Sequence, residues 1–336
     1  MKLIERPYYL NQLKRVKGVP DIKVITGIRR CGKSKLMASY IEYISKIDSK
    51  ANIISIDYSD IKFEELKNYQ TLNSYVEEHY CNSENNYLFI DEVQMCEGFE
   101  LALNSLHASE KYDIYVTGSN AFLLSSDLAT LFTGRTFSIE VFPFSLREYM
   151  DYFEKSDAYE AFTEYRKIGG MSGSYVYHDE KSRSKYLNDV FDTLVIRDIV
   201  QKYKIRNIPL LERITDFLMD NVSNLVSANR MAETFVSNKI KTNDKTVGTY
   251  ISHLCNAFAF YRIRRYDIRG KRYLASNDKY YLADPALRNA RLGSRNPDFG
   301  RMSENLVVLE LLRRGYEVYA GVLYKKEIDF VAIRQN

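Results

Sequence analysis

Eight residues constrain this chain more than any others: Gly27-Ile28-Arg29-Arg30-Cys31-Gly32-Lys33-Ser34 fits the pattern G-x-x-x-x-G-K-[ST]. The run Ile22-Lys23-Val24-Ile25-Thr26 before it reads as a buried strand, and residues 33–47 after it read as a helix. Successive backbone N–H groups converge on an anion only if the loop curls tightly, and Gly27 and Gly32 allow that. The following helix then aims its partly positive N-terminus at the same point. The expected ligand is a nucleotide polyphosphate, cradled by Gly27, Ile28, Arg29, Arg30, Cys31, Gly32, Lys33, Ser34 and Lys35. Lys33 is expected to reach the β- and γ-phosphate oxygens, and the Ser34 hydroxyl to ligate Mg²⁺. Of the loop arginines Arg29 and Arg30, one is expected to touch phosphate or a neighbouring subunit; two ordinary exposed loop arginines are the other reading.

A second stretch, Tyr87-Leu88-Phe89-Ile90-Asp91-Glu92, describes a central parallel strand whose C-terminal end opens on a ligand crevice. Asp91 is expected to hold Mg²⁺, mainly through water, and Glu92 to orient and deprotonate the water that attacks the γ-phosphate. Further strands are expected at 52–57, 112–117 and 137–141. The strand at 112–117 closes with Gly118-Ser119-Asn120. A polar side chain there can contact the γ-phosphate or the lytic water, Asn120 first and Ser119 second; a turn capping the next helix is the other reading. Arg135, in Thr133-Gly134-Arg135, precedes the strand at 137–141. It is expected either to stabilise charge on the transferring phosphate, in its own subunit or a neighbour's, or to pair with a carboxylate. Strands and helices in alternation imply a doubly wound, mostly parallel α/β sheet.

A chain of 336 residues has room for two or three domains, each with its own core. The net charge of +4 is too small to imply nucleic-acid binding by itself, so any basic patch must be local. The four cysteines (Cys31, Cys81, Cys96, Cys255) form no C-x-x-C pair, and the four histidines are equally dispersed, which points to neither a disulfide framework nor a zinc site. No apolar run approaches the roughly 18 residues of a membrane span. Residues 1–13 lack a secretory apolar region, so a cytoplasmic chain with no membrane partner is expected.

Between 146 and 204, aromatic and aliphatic residues recur at helical spacing among charges, which reads as a helical lid. Helices are expected from 210 and over 246–257, the latter with Val247, Tyr250, Ile251, Leu254 and Phe258 on one face. Strand-like segments follow at 260–265, 271–273 and 279–282, around the turn Asp267-Ile268-Arg269-Gly270. Helices followed by a basic hairpin describe a winged helix. The hairpin from Arg262 to Arg272 carries six basic side chains against one acid, Asp267, enough to neutralise several phosphates of duplex DNA. A wing packed on an acidic protein face is the other reading. Near the C-terminus, a helix at 301–314 with Glu304 and Glu310, a strand at 317–320 and a strand at 327–332 carrying Asp329 look like the opening of a restriction-endonuclease-like core. Glu304 and Asp329 are then the metal-ligand candidates, without the downstream carboxylate and lysine such nucleases use.

Several motifs stand in order along the chain: Ile4-Glu5-Arg6-Pro7-Tyr8-Tyr9-Leu10, the octamer, Phe89-Ile90-Asp91-Glu92-Val93-Gln94, Thr117-Gly118-Ser119-Asn120, Thr133-Gly134-Arg135 and Phe142-Pro143-Phe144-Ser145-Leu146-Arg147-Glu148-Tyr149. Together they resemble the AAA-type ATPases of bacteria and archaea that carry a C-terminal domain of unknown function. The resemblance spans nearly the whole chain. It implies that Lys33, Ser34, Asp91 and Glu92 are the nucleotide and Mg²⁺ residues and that the segment from Arg6 to Tyr9 lies near the adenine. One departure is Ile168-Gly169-Gly170-Met171-Ser172-Gly173, where relatives show Gly-Gly followed by a hydrophobic residue, Pro and Glu.

The expected organisation is a P-loop ATPase core (1–145), a helical lid (146–205), a winged helix (206–285) and a partial restriction-endonuclease-like domain (286–336). The expected activity is Mg²⁺-dependent ATP binding and hydrolysis, coupled to a winged helix that contacts duplex DNA. One alternative is a nucleotide-gated switch whose winged helix binds protein, with a homo-oligomer among its partners. A second is an ATP-driven DNA-processing nuclease.

Overall fold

The computed structural model describes residues 4–118, 132, 134–268, 272–273, 277–293, 299–324 and 326–334, with the side chains of 195–196 and 272–273 left aside. The chain forms two compact units that part between Val141 and Phe142.

The first unit is an α/β layer structure. Helix α1 (Pro7–Arg15) precedes β1 (Ile22–Thr26), α2 (Lys33–Ile47), β2 (Ala51–Asp57), α3 (Tyr69–Glu78), β3 (Asn85–Asp91), α4 (Phe99–Ala108), β4 (Tyr112–Thr117) and β5 (Thr136–Glu140). The strands form one parallel sheet in the order β2-β3-β4-β1-β5. Helices on both faces bury the central strands completely, which is why β1 and β3 read as nearly continuous apolar runs. Ile22, Val24, Leu88, Ile90 and Val116 pack with Leu72, Val76, Leu103 and Leu106 in the core. Each such side chain contributes roughly 1.5–3 kcal/mol by leaving water. Strand β4 lies between β1 and β3. With Ile25 level with Thr117 and Asp57 level with Asp91, the C-terminal ends of four strands gather on one edge.

The second unit begins with α5 (Leu146–Phe153), started by a reciprocal cap between Ser145 and Glu148. After α6 (Ala158–Ile168), α7 (Glu180–Asp192) runs through a π-helical stretch, Thr193–Ile199, into α8 (Val200–Tyr203). Next come α9 (Ile208–Asp220), β6 (Leu225–Val226), α10 (Ala228–Ser237), α11 (Asp244–Asn256), β7 (Phe260–Ile263), β8 (Arg265–Asp267), β9 (Arg272–Tyr273) and β10 (Asp278–Leu282). Strands β6, β10 and β7 form an antiparallel sheet, while the basic segment pairs β8 with β9. On α11, Val247, Ile251 and Leu254 are buried as their spacing requires.

The chain closes with α12 (Pro285–Leu292), α13 (Phe299–Arg313), β11 (Tyr316–Leu323) and β12 (Lys326–Arg334). The last two strands do not stand apart. β11 pairs with β8 of the basic hairpin, giving a four-stranded sheet in the order β12-β11-β8-β9. The C-terminal strands are therefore continuous with the basic hairpin. Gly169 is explained by Asp284, which caps α12 and accepts the N–H groups of Ala286 at 2.8 Å and Gly170 at 2.6 Å, and Gly170 by the Phe144 backbone, whose carbonyl oxygen a Cβ would meet at 2.2 Å. A Cβ on Gly169 would stand 1.9 Å from Asp284 Oδ1. Burial pushes the Asp284 carboxyl up to about 7, against the pull of these N–H groups.

Candidate nucleotide-binding site

The loop between β1 and α2 depends on its two glycines for different reasons. Gly27 has φ 135° and lies so close to Val141 that a Cβ would meet its carbonyl oxygen at 2.1 Å. Gly32 has φ 101° and stands at the N-cap of α2, which has no side-chain cap. Asn68, Asp157, Ser227 and Asn243 cap the N-termini of α3, α6, α10 and α11, whereas α2, like α4 with Gly98 at its N-cap, starts without a side-chain cap. First-turn N–H groups without a cap are suited to an anion. Lys33 is only 5% exposed, and its ammonium donates to the carbonyls of Gly27 at 3.0 Å and Ile28 at 3.2 Å. Among the described residues no carboxylate is paired with it. Ser34 and Lys35 are exposed at the first turn, as is Arg30 (φ 66°), while Arg29 is half-buried. Cys31 is buried, which pushes its thiol up. Arg6 is also buried: its guanidinium donates to the Cys31 carbonyl at 3.0 Å and lies 4.5 Å from the centre of the Tyr9 ring.

Opposite the loop stands the acidic edge. Asp91 ends β3, 7% exposed, and burial raises its carboxyl above the usual carboxylate range. Hydrogen bonds from the Thr117 and Ser34 hydroxyls counter that rise, while the neighbouring charges of Glu92 and Asp57 add to it. Ser34 is thus near enough to Asp91 to influence its charge, and these are the two residues expected to hold Mg²⁺. Glu92 follows in a left-handed conformation (φ 54°, ψ 46°), its carboxylate held by Gln94 Nε2. These donors fit the expected group: a hydroxyl, a carboxylate and an uncapped helix start suit a magnesium-bound triphosphate.

Asn120 and Ser119 lie outside the described residues. Thr117, to which the sequence reading gave no separate role, sits at the end of β4 between the loop and the acidic pair. Its signal was its place as the last residue of that strand. Arg135 lies elsewhere. Its carbonyl accepts the N–H of Ile22 at 3.0 Å, at the beginning of β1 and β5. The loop is at the other end of these strands, about 16 Å away at 3.3 Å per residue. The structure does not bring Arg135 to the phosphate site of its own subunit, which corrects that half of the expectation.

In the second unit, Arg262 forms an ion pair with Asp278 at 2.5 Å, and Arg264 is exposed. Arg269 and Lys271 lie outside the described residues. Glu304 accepts from Lys279 Nζ at 3.0 Å and the Tyr281 hydroxyl at 2.6 Å, and Glu327 pairs with the same lysine at 2.6 Å. Asp329 is exposed on β12. No group of three or more His, Cys, Asp or Glu among the described residues could hold a metal ion. Glu304, one of the two metal-ligand candidates, is paired with Lys279.

The loop, the buried lysine and the acidic edge define a P-loop nucleotide-binding fold. The family described as “AAA domain” matches residues 19–150, and “Domain of unknown function (DUF8612)” matches residues 159–298. An uncharacterised protein of Haemophilus influenzae is 37% identical over 337 residues, spanning 98% of this chain and 84% of that protein. An uncharacterised protein of Methanocaldococcus jannaschii is 26% identical over 357 residues, spanning 100% and 78%. The chain belongs to the AAA-type P-loop ATPase family. A solved structure, the Aeropyrum pernix Orc1 protein in complex with DNA, aligns over 90% of this chain and 95% of its own at 12% identity, with a TM-score of 0.36. A likeness of that size carries no ligand across. No helix among the described residues is long and apolar enough to cross a membrane.

Proposed function

We propose that this chain binds ATP with Mg²⁺ in the loop 27–35 and hydrolyses it. The supporting observation is the buried Lys33 ammonium, which among the described residues has only loop carbonyls as hydrogen-bond partners, beside an uncapped helix start. Lys33 turns from those carbonyls to the β- and γ-phosphates, while Ser34 and Asp91 hold the metal. Bound Mg²⁺ would neutralise charge on the β- and γ-phosphate oxygens. Glu92 accepts the proton of the attacking water at its carboxylate. Asn120, three residues past β4 in the sequence, senses the γ-phosphate, and Arg6 to Tyr9 borders the adenine. Arg135, at the far edge of the sheet, acts as a finger only on a neighbouring subunit's nucleotide, which requires a homo-oligomer.

Residues 146–205 form the lid and 206–285 a winged helix whose hairpin, through Arg264 and Arg265, contacts duplex DNA in a cytoplasmic protein. The density of basic residues in that hairpin supports DNA over a protein partner. The test is steady-state ATP turnover with and without duplex DNA, in the wild type and in Glu92→Gln. Turnover that duplex changes in a salt-dependent way is expected. The Gln variant should keep ATP affinity while kcat falls about 10²–10⁴-fold, the range for loss of a general base. A Gln variant with normal turnover contradicts the role of Glu92. Turnover and binding indifferent to duplex at low salt leave the protein partner.

A further inference from the structure

We infer that Thr117 is a positioning residue for hydrolysis: its one hydroxyl fixes the Asp91 carboxylate and the Glu92 backbone together. This deepens the proposed ATP hydrolysis and rests on it. Thr117 is fully buried at the end of β4. Its Oγ1 donates to Asp91 Oδ1 and accepts the N–H of Glu92 at 3.1 Å. A hydroxyl offers one donor and two lone pairs, so both bonds form at once. The Thr117 hydroxyl therefore links the acidic end of β3 to the backbone of Glu92.

That last link matters because Glu92 sits at φ 54°, a region L-residues seldom occupy and which surrounding bonds must hold. The Glu92 N–H, anchored on Thr117, sets the direction in which the side chain leaves the strand. Gln94 holds the carboxylate from the other side. The arrangement exists only because β4 lies between β1 and β3. Threonine also suits the place through its β-branched shape, but valine would serve a strand equally well. The hydroxyl is what valine lacks.

The experiment compares Thr117→Val, which keeps shape, with Thr117→Ser, which keeps the hydroxyl. Two readouts are taken: steady-state kinetics, and hydrogen exchange at the Glu92 amide in nucleotide-free protein. In Thr117→Val, kcat should fall about tenfold or more while the KM for ATP stays within about threefold, the mark of lost positioning rather than lost binding. Exchange at Glu92 should accelerate at least about tenfold as its N–H loses its acceptor. Thr117→Ser should return both to within about threefold of wild type. A valine variant with wild-type kcat or unchanged Glu92 exchange overturns the inference, as does a serine variant that behaves like valine. Thr117→Ala carries the same comparison if the valine variant does not fold. A wild type without ATP turnover defeats the proposed hydrolysis instead, and the exchange data then still decide whether Thr117 holds Glu92.

Discussion

Two lysines ten residues apart on one strand–loop–helix unit are both buried, and they are buried in opposite ways. Lys23, 0% exposed, sits on β1 with a complete set of partners. Its ammonium is paired with Asp113 at 2.5 Å and bonded to the Val19 carbonyl. The second Asp113 oxygen takes the Gly18 N–H at 2.9 Å and the Tyr115 hydroxyl at 3.0 Å, and Tyr115 meets the Tyr40 hydroxyl at 3.1 Å. Lys33, at the other end of the strand, is offered two carbonyls and no carboxylate among the described residues. A buried ammonium is costly unless an opposite charge compensates it. The fold supplies that charge at Lys23 and leaves it to a ligand at Lys33. Burial alone does not mark a functional charge; the completeness of its partner set does.

The contrast breaks most easily at Lys23. Lys23→Met leaves the part-buried Asp113 without its cation and should lower stability by about 1–3 kcal/mol, the cost of leaving a largely desolvated polar group without its partner. Nucleotide affinity of the folded fraction should hardly change. Denaturant unfolding and ATP-analogue binding on the same variant check both halves, and a stable variant with weakened nucleotide binding would dissolve the distinction.

Asp284 sharpens the comparison from the acidic side, since it accepts hydrogen bonds from the backbone N–H groups of Gly170 and Ala286. Its folded pKa of about 7 lies above the ordinary 3.8, so the folded state keeps a proton that the unfolded chain has lost. The resulting stability is complete below the ordinary value and is lost as pH rises through the folded one, a change of up to about 4 kcal/mol. The second unit should therefore melt at a lower temperature at pH 8 than at pH 5. Asp284→Asn should flatten that slope, and a wild-type melting curve indifferent to pH across this window would show the carboxylate to be ionised throughout.

The parts of this architecture that could be read from the sequence are local ones. The octamer carries its own strand and helix, and Asp91-Glu92 ends an apolar run, so each declares its place without knowledge of the rest. Thr117 was hidden because its role is created by sheet order, which sets β4 between the loop strand and the acidic strand. Arg135 offered a usable clue: a residue before a parallel strand lies on the edge opposite to residues that follow one. The pairing of β8 with β11 joins segments far apart in sequence, and no local pattern announces it. The same holds for Lys279, which comes from β10 to neutralise Glu304.

The account stands on Lys33 awaiting an anion, and equilibrium binding of a non-hydrolysable ATP analogue with Mg²⁺ to wild type and Lys33→Ala measures that directly. The wild type should bind, and the variant should bind on the order of 100-fold more weakly, as expected for lost charge-assisted bonds, with an unchanged melting temperature. Equal affinity in the two proteins would contradict it.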